Sequence, residues 1–264
     1  MEKLKAEENN NFRFMISIKN KKEINLMKKA CRIVSDTLCE LKKYVRPGVQ
    51  TIELDSIAED YIRSQNAIPG FKGLYGFPGT ICISIEDEIV HGIPKNKALS
   101  DGDIVGIDVG AIVDGYYGDH ARTFEVGNVS EEKKKLMKVT RKSLELGIEA
   151  SRPGNTIGDI GFAIQNYVSD YGYGVVRELV GHGIGKKLHE EPQIPNFGSK
   201  NTGPVIKEGM CFAIEPMINL GTEKIYTKND NWTICTEDGL PSAHFEHTIV
   251  VTGNGSEILT QYNG

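Results

Sequence analysis

No run of about 18 consecutive apolar residues, the length a membrane-spanning helix needs, occurs in this 264-residue chain. No membrane association is therefore expected. The opening residues, MEKLKAEENNNFRF, lack the apolar h-region of a secretory signal. They are expected to form a polar N-terminal tail, residues 1–14, with Met15 as an alternative start. Cysteine is sparse: the 5 present form no CxxC pair, and an odd number cannot all pair within one chain. Reduced thiols in a cytoplasmic protein follow. Basic charge is not in excess either, with 31 Lys+Arg against 36 Asp+Glu, a net charge of −5. With no Lys/Arg stripe, nucleic acid is not expected as a ligand. Four common functional signatures are missing as well. There is no G-x-S-x-G elbow. The run Gly181-His182-Gly183-Ile184-Gly185-Lys186-Lys187 has neither dinucleotide-fingerprint nor P-loop spacing, and His189-Glu190-Glu191-Pro192-Gln193 lacks the second His of HExxH.

What is present is one script written twice. Ile24, Met27, Cys31, Val34, Leu38 and Leu41 follow a helical 3-4 spacing that ends at Arg46-Pro47-Gly48. Thr51 then reads as the N-cap of a second helix, with Glu53 in its first turn and Leu54, Ile57, Ala58, Tyr61 and Ile62 facing inward. Further on, a helix opens at the charged run Glu131–Lys135 and ends at Arg152-Pro153-Gly154. Thr156 then caps a helix carrying Ile157, Ile160, Ile164, Tyr167 and Val168. After each helix pair comes a strand-like run closed by an acid: Asp101–Asp108 in the first half and Glu208–Glu215 in the second. A repeat of about 106 residues is a duplicated half-domain rather than a solenoid unit. The halves are placed at about 20–127 and 128–260, within a single domain of residues 15–264. Two halves related by pseudo-twofold symmetry would bring their acids together at the shared interface.

The acids can be placed by register. Asp114-Gly115 between two strand-like runs is a strong hairpin signal. That turn puts Val113 opposite Tyr116, Gly110 opposite Asp119 and Asp108 opposite Ala121. Asp108 and Asp119 then share one sheet face as diagonal neighbours, about 7–8 Å apart at the backbone. Two strand acids on their own are most simply solvent-exposed. The second half changes that balance by supplying Glu215 at the position matching Asp108, and Glu246 in the late strand-like run His244–Val250. Four acids among apolar strand residues are too many buried negative charges without a cation. His182, flanked by glycines that allow close approach, is the fifth candidate. An oxygen-rich set with one imidazole suits hard or borderline divalent ions such as Mn, Fe, Co or Zn. Five such ligands suffice for two metal ions.

Taken in order, these motifs resemble the type I methionine aminopeptidases of the M24 pita-bread metallopeptidases. The motifs are His91-Gly92-Ile93-Pro94, Asp108 in IDVG, Asp119 in GDHARTF, His182 in GHGIG, His189 in LHEEP, Glu215 in EPM and Glu246 in FEHT. The resemblance runs from about Met15 to Leu259. It implies an α+β pita-bread fold, with pseudo-twofold half-domains and a central antiparallel sheet covered by helices. It implies that Asp108, Asp119, His182, Glu215 and Glu246 ligate two divalent ions (Co, Mn, Fe or Zn), with Asp119 and Glu246 bridging. His91, His189 and Glu215 become the catalytic residues: Glu215 relays a proton, while His91 and His189 contact the substrate amide and the tetrahedral intermediate. Phe71, Leu74, Phe77, Cys82 and Trp232 fall where the family lines its methionine pocket.

The implied reaction removes the N-terminal methionine of nascent polypeptides whose second residue is small, by attack of a metal-activated water. A monomer in transient proximity to the ribosome is the implied setting. The sequence departs from the family in the pocket, where Cys or Tyr is common at Phe71, Leu74 and Phe77, and an aromatic at Leu188. Two rival readings share the fold. Proline-directed aminopeptidases and prolidases typically carry an extra N-terminal domain, whereas about 22 residues are expected before the first helix here. A non-catalytic pita-bread binding module would have lost ligands that are intact here.

Overall fold

The computed structural model describes residues 16–262 and 264. The expected tail and the alternative start at Met15 lie outside the described residues. In the first half, α1 (Lys21–Lys42) and α2 (Thr51–Ser64) precede β1 (Ile68–Pro69), β2 (Ile81–Ile85), β3 (Glu88–Val90), β4 (Ile104–Val113) and β5 (Tyr116–Glu125). In the second, α3 (Glu131–Ala150) and α4 (Ile157–Ser169) precede β6 (Gly174–Val175), β7 (Gly181–Gly183), β8 (Glu190–Ile194) and β9 (Cys211–Ile214). They also precede β10 (Met217–Asn219), β11 (Ile225–Thr227), β12 (Ile234–Thr236), β13 (Ser242–His244), β14 (His247–Thr252) and β15 (Gly255–Ile258). Among the described residues no helix is long and apolar enough to cross a membrane.

The helices start where side chains can satisfy their first N–H groups. Asn20 accepts from the Lys22 and Glu23 N–H groups at 2.9 and 3.1 Å, and Glu23 reaches back to the Asn20 N–H at 2.9 Å. Thr156 caps α4 through a box with Asp159. The expectation at Thr51 needs correcting: Gln50 is the N-cap, boxed with Glu53, and Thr51 is the first helical residue. The Thr51 hydroxyl instead donates to the Lys95 carbonyl at 2.8 Å and accepts the Lys95 N–H at 2.9 Å. That tertiary pairing outcompetes a local cap. Met27, Cys31, Val34, Leu38 and Leu41 of α1 are fully buried, as are Leu54, Ala58 and Ile62 of α2, while Ile24, Ile57 and Tyr61, also expected to face inward, are half-buried.

Two helix-covered cores result. Val34, Leu38, Leu54 and Ile62 pack on Ile83, Val105 and Ile107, whereas Leu136, Ile160 and Ile164 pack on Phe212, Ile214 and Ile249. Each such side chain contributes about 1.5–3 kcal/mol by leaving water. Among the described residues four antiparallel sheets carry these cores. In the first half, β4 pairs with β1 and β2 on one edge and β5 on the other; in the second, the order is β15-β14-β9-β7-β8.

The halves are stitched together along β5 by two threonines. Thr123 Oγ1 donates to the His244 carbonyl at 2.9 Å and accepts the His244 N–H at 3.0 Å. Thr248 Oγ1 donates to the Asp119 carbonyl at 2.8 Å and faces the Asp119 N–H at 3.3 Å. Between them the Glu246 N–H donates to the Ala121 carbonyl at 2.9 Å.

The late run His244–Val250, read as one strand, is interrupted. β13 pairs with β10 as far as Met217 opposite His244, and β14 pairs with β9 starting from His247 opposite Ile214. Glu215-Pro216 and Phe245-Glu246 face each other in the gap. Proline has no N–H to give a ladder and the Glu246 N–H is committed to the other half, so the regular ladder lapses here, leaving the Phe245 N–H donating to the Pro216 carbonyl at 3.4 Å.

Candidate active site

The β4–β5 hairpin places the first two carboxylates. Asp114 and Gly115 both take positive φ, 50° and 81°, as a tight two-residue turn requires. The ladder runs unbroken from Val113 opposite Tyr116 through Gly110 opposite Asp119 to Asp108 opposite Ala121, in the expected register and without a bulge. Asp108 and Asp119 therefore share a face and come within hydrogen-bonding reach of each other. Glu215 and Glu246 enter from the gap between ladders. His182 comes from β7, opposite Ala213 of β9 and Gln193 of β8. The glycines beside His182 serve packing: a side chain at Gly181 would collide with the Ala213 carbonyl, and one at Gly183 with the Glu191 carbonyl. These glycines are therefore required by the neighbouring strands rather than by the approach of a ligand.

All five candidate groups converge. One ligand atom each from Asp119, His182 and Glu246 lie within 4.8 Å of one another. His182 Nε2 is 3.7 Å from Asp119 Oδ2 and 3.5 Å from Glu215 Oε1. The histidine tautomer follows from its other nitrogen, because Nδ1 is 3.0 Å from the Gly183 carbonyl, which can only accept. Nδ1 therefore carries the proton, and the Nε2 lone pair faces two carboxylates. Burial, with His189 alongside, lowers this imidazole to about 3, so it stays neutral.

A lone pair opposed to carboxylates is repulsive unless a cation lies between them. Burial, and after it the neighbouring carboxylate Asp119, pushes the Asp108 and Glu246 carboxyls well above the ordinary range, and burial likewise raises Asp119 and Glu215. Asp108 Oδ1, Asp119 Oδ1 and Glu246 Oε1 are buried without a hydrogen-bond partner among the described residues. Such orphaned, convergent oxygens beside a neutral imidazole fit divalent metal ions.

The other expected residues surround this cluster. His91 follows β3 with φ at 57°, is half-buried, and is lowered to about 4 by burial, with His244 and His189 contributing. His189 stands exposed, its ring 4.6 Å from that of His182 and nearly perpendicular to it. Phe71, Phe77 and Cys82 are buried, and Leu74 and Trp232 half-buried, in one apolar cluster with Leu188. Phe77 meets Trp232 edge-on at 5.1 Å. Cys82 is the register partner of Asp108, so the apolar cluster begins one strand away from the carboxylates.

Several neighbours were not expected. His244 Nε2 lies 3.5 Å from Glu215 Oε2. Asn196 Nδ2 donates to the Glu215 carbonyl at 3.1 Å. Tyr75 stacks parallel on His189 at 6.3 Å. His244 had a signal in the sequence, standing two residues before Glu246 and hence on the same face of a strand. Asn196 and Tyr75, which arrive on irregular segments, had none.

Metallopeptidase family M24 matches the chain over residues 25–253. This chain belongs to that family. Divalent-metal use follows from family M24 membership. Over 247 residues it is 52% identical to methionine aminopeptidase 1 of Bacillus subtilis, covering 94% of this chain and 100% of the relative. The crystal structure of methionine aminopeptidase from Rickettsia prowazekii superposes with a TM-score of 0.92 at 46% identity, over 94% of this chain and 100% of that one. The prolidase from Pyrococcus furiosus superposes at 0.78 with 26% identity, over 94% of this chain but 66% of its own length. The fold is thus the α+β pita-bread fold of family M24, and its methionine aminopeptidase branch is the nearer one.

Proposed function

We propose that this chain is a methionine aminopeptidase, hydrolysing the first peptide bond of nascent polypeptides that begin with methionine followed by a small residue. The observation that carries the reading is the adjacency of Cys82 and Asp108, which sets an apolar cluster beside convergent carboxylates. The near-full-length identity to curated methionine aminopeptidases supports it. Asp108, Asp119, His182, Glu215 and Glu246 would hold two divalent ions of the Co, Mn, Fe or Zn class. Because each half supplies part of this set, residues 15–264 act as one domain, with halves at about 20–127 and 128–260.

Bound divalent ions supply Lewis-acid polarisation of the scissile carbonyl and a water acidic enough to be deprotonated near neutral pH. The protein's own groups do the rest. Phe71, Leu74, Phe77, Cys82 and Trp232 take the methionine side chain, whose flexible thioether suits a soft apolar lining. The ions this set would hold would also take the free α-amine, which would select a chain terminus over an internal bond. Glu215 accepts the proton of the attacking water, and His189 donates to the developing oxyanion. His91 holds the substrate amide. The setting is a cytoplasmic monomer acting on chains as they leave the ribosome.

Side-by-side turnover of Met-Ala-Ser and an X-Pro dipeptide by metal-reconstituted protein tests the reading. Release of free methionine with no X-Pro cleavage is expected. The reverse preference would reassign the chain to the proline-directed branch, and metal binding without either activity would leave a binding module.

A further inference from the structure

His244 has no role in the reaction just proposed, yet its position is tightly determined. It ends β13, with Met217 as its register partner. Its backbone N–H and carbonyl are both claimed by the Thr123 hydroxyl across the seam, at 3.0 and 2.9 Å. The side chain is 4% exposed, and Nε2 has no hydrogen-bond partner among the described residues. What Nε2 faces is Glu215 Oε2, at 3.5 Å. The other oxygen of that carboxylate, Oε1, faces His182 Nε2 at the same distance, 3.5 Å. Glu215 thus lies between two imidazoles, one on each oxygen. Its own backbone sits in the ladder gap, where the Asn196 amide donates to its carbonyl at 3.1 Å.

A carboxylate on unpaired backbone is free to turn unless its distal oxygen is held, and groups that hold a ligand's far side fix the face it shows a metal. We propose that His244 is a positioning residue for Glu215: Nε2–H donates to Oε2, turning Oε1 toward His182 and the carboxylate cluster. His244 is not itself a member of the ligand set. The proposal rests on the reading of Glu215 as a metal ligand.

The test is calorimetric titration of Mn²⁺ into chelator-treated protein for the wild type, His244→Ala, His244→Gln, Glu215→Gln and the His244→Ala/Glu215→Gln double variant. Loss of a ligand's outer partner typically costs about 10–100-fold in metal affinity. His244→Ala is expected to weaken at least one Mn²⁺ site by that factor. His244→Gln, which keeps a side-chain N–H donor, should recover most of it. In the double variant the two losses should not add, because His244 acts through Glu215. Wild-type affinity in the alanine variant, a glutamine variant no tighter than alanine, or additive losses would each overturn the proposal. A structural role for His244 would lower thermal stability without producing this rescue or this coupling. Turnover of Met-Ala-Ser by the wild type is read separately, so failure of the peptidase assignment leaves the metal titration interpretable.

Discussion

Phe71 and Gly110 occupy one volume: the Phe71 ring lies where a side chain at Gly110 would begin. Gly110 is also the register partner of Asp119. A single glycine therefore lets the apolar cluster close against the hairpin that carries both aspartates. Adding a methyl there forces either the ring or the strand to move, and overpacking of this kind costs about 1–3 kcal/mol. Gly110→Ala should lower the unfolding midpoint and reduce kcat/KM for Met-Ala-Ser. Thermal unfolding and steady-state kinetics check both, and unchanged values in the variant would mean that Phe71 moves aside freely.

Glu215 and His91 separate metal holding from substrate holding. Glu215→Gln removes a charge that a divalent ion needs and the group proposed to take the proton. Nearly complete loss of turnover and weakened metal occupancy are expected together. His91 sits outside the convergent set, so His91→Ala should depress turnover with metal content intact. Elemental analysis of the reconstituted variants, beside peptide turnover, distinguishes the two. Undiminished hydrolysis by Glu215→Gln would remove it from both roles, and lost metal in His91→Ala would make His91 a ligand.

What the sequence revealed and what it concealed divide along physical lines. The hairpin register was legible because Asp114-Gly115 is a local signal and side-chain alternation along strands follows from it. The helix stripes were legible for the same reason, periodicity being a property of contiguous residues. The gap that admits Glu215 and Glu246 was not legible, because it depends on the Glu246 N–H finding the Ala121 carbonyl in the other half. The true cap of α2 was hidden similarly: Thr51 has good capping chemistry, but the Lys95 backbone claims its hydroxyl from a distant loop. Tertiary partners of this sort decide between local options of similar energy, and no window of sequence contains both members.

Glu88 offers a stability test away from the metal cluster. It is 4% exposed, accepts the Ile85 N–H at 3.0 Å on one oxygen, and pairs with Lys228 at 2.8 Å on the other. Burial pushes the carboxyl up, but Lys228, the Ile85 N–H and Lys97 outweigh it and hold the group below its ordinary value of 4.5. A depressed folded-state pKa contributes stability that is present above the unfolded value and lost as pH falls through the folded one. Wild-type protein should therefore lose more stability than Glu88→Gln as pH drops below about 4.5. Lys228→Ala should be less stable by about 1–2 kcal/mol at neutral pH, the lysine being partly solvated. Denaturant midpoints across the pH series check the sign, and parallel curves for wild type and Glu88→Gln would refute it.

Trp232 is the single tryptophan of the chain, so its fluorescence reports one place. Its ring meets the edge of Phe77 at 5.1 Å and remains half-buried, within the cluster that includes Cys82 and Leu188. A methionine side chain entering that cluster must displace water from the exposed part of the indole. The emission should shift to shorter wavelength as methionine or norleucine is added, and saturate. Phe77→Ala removes the edge contact, worth about 0.5–1.5 kcal/mol beyond area burial, and should weaken the half-saturation concentration several-fold. Glycine, with no side chain to place, should leave the emission unchanged. An equal response to glycine would locate Trp232 outside the methionine pocket, and the apolar cluster would then need a different occupant.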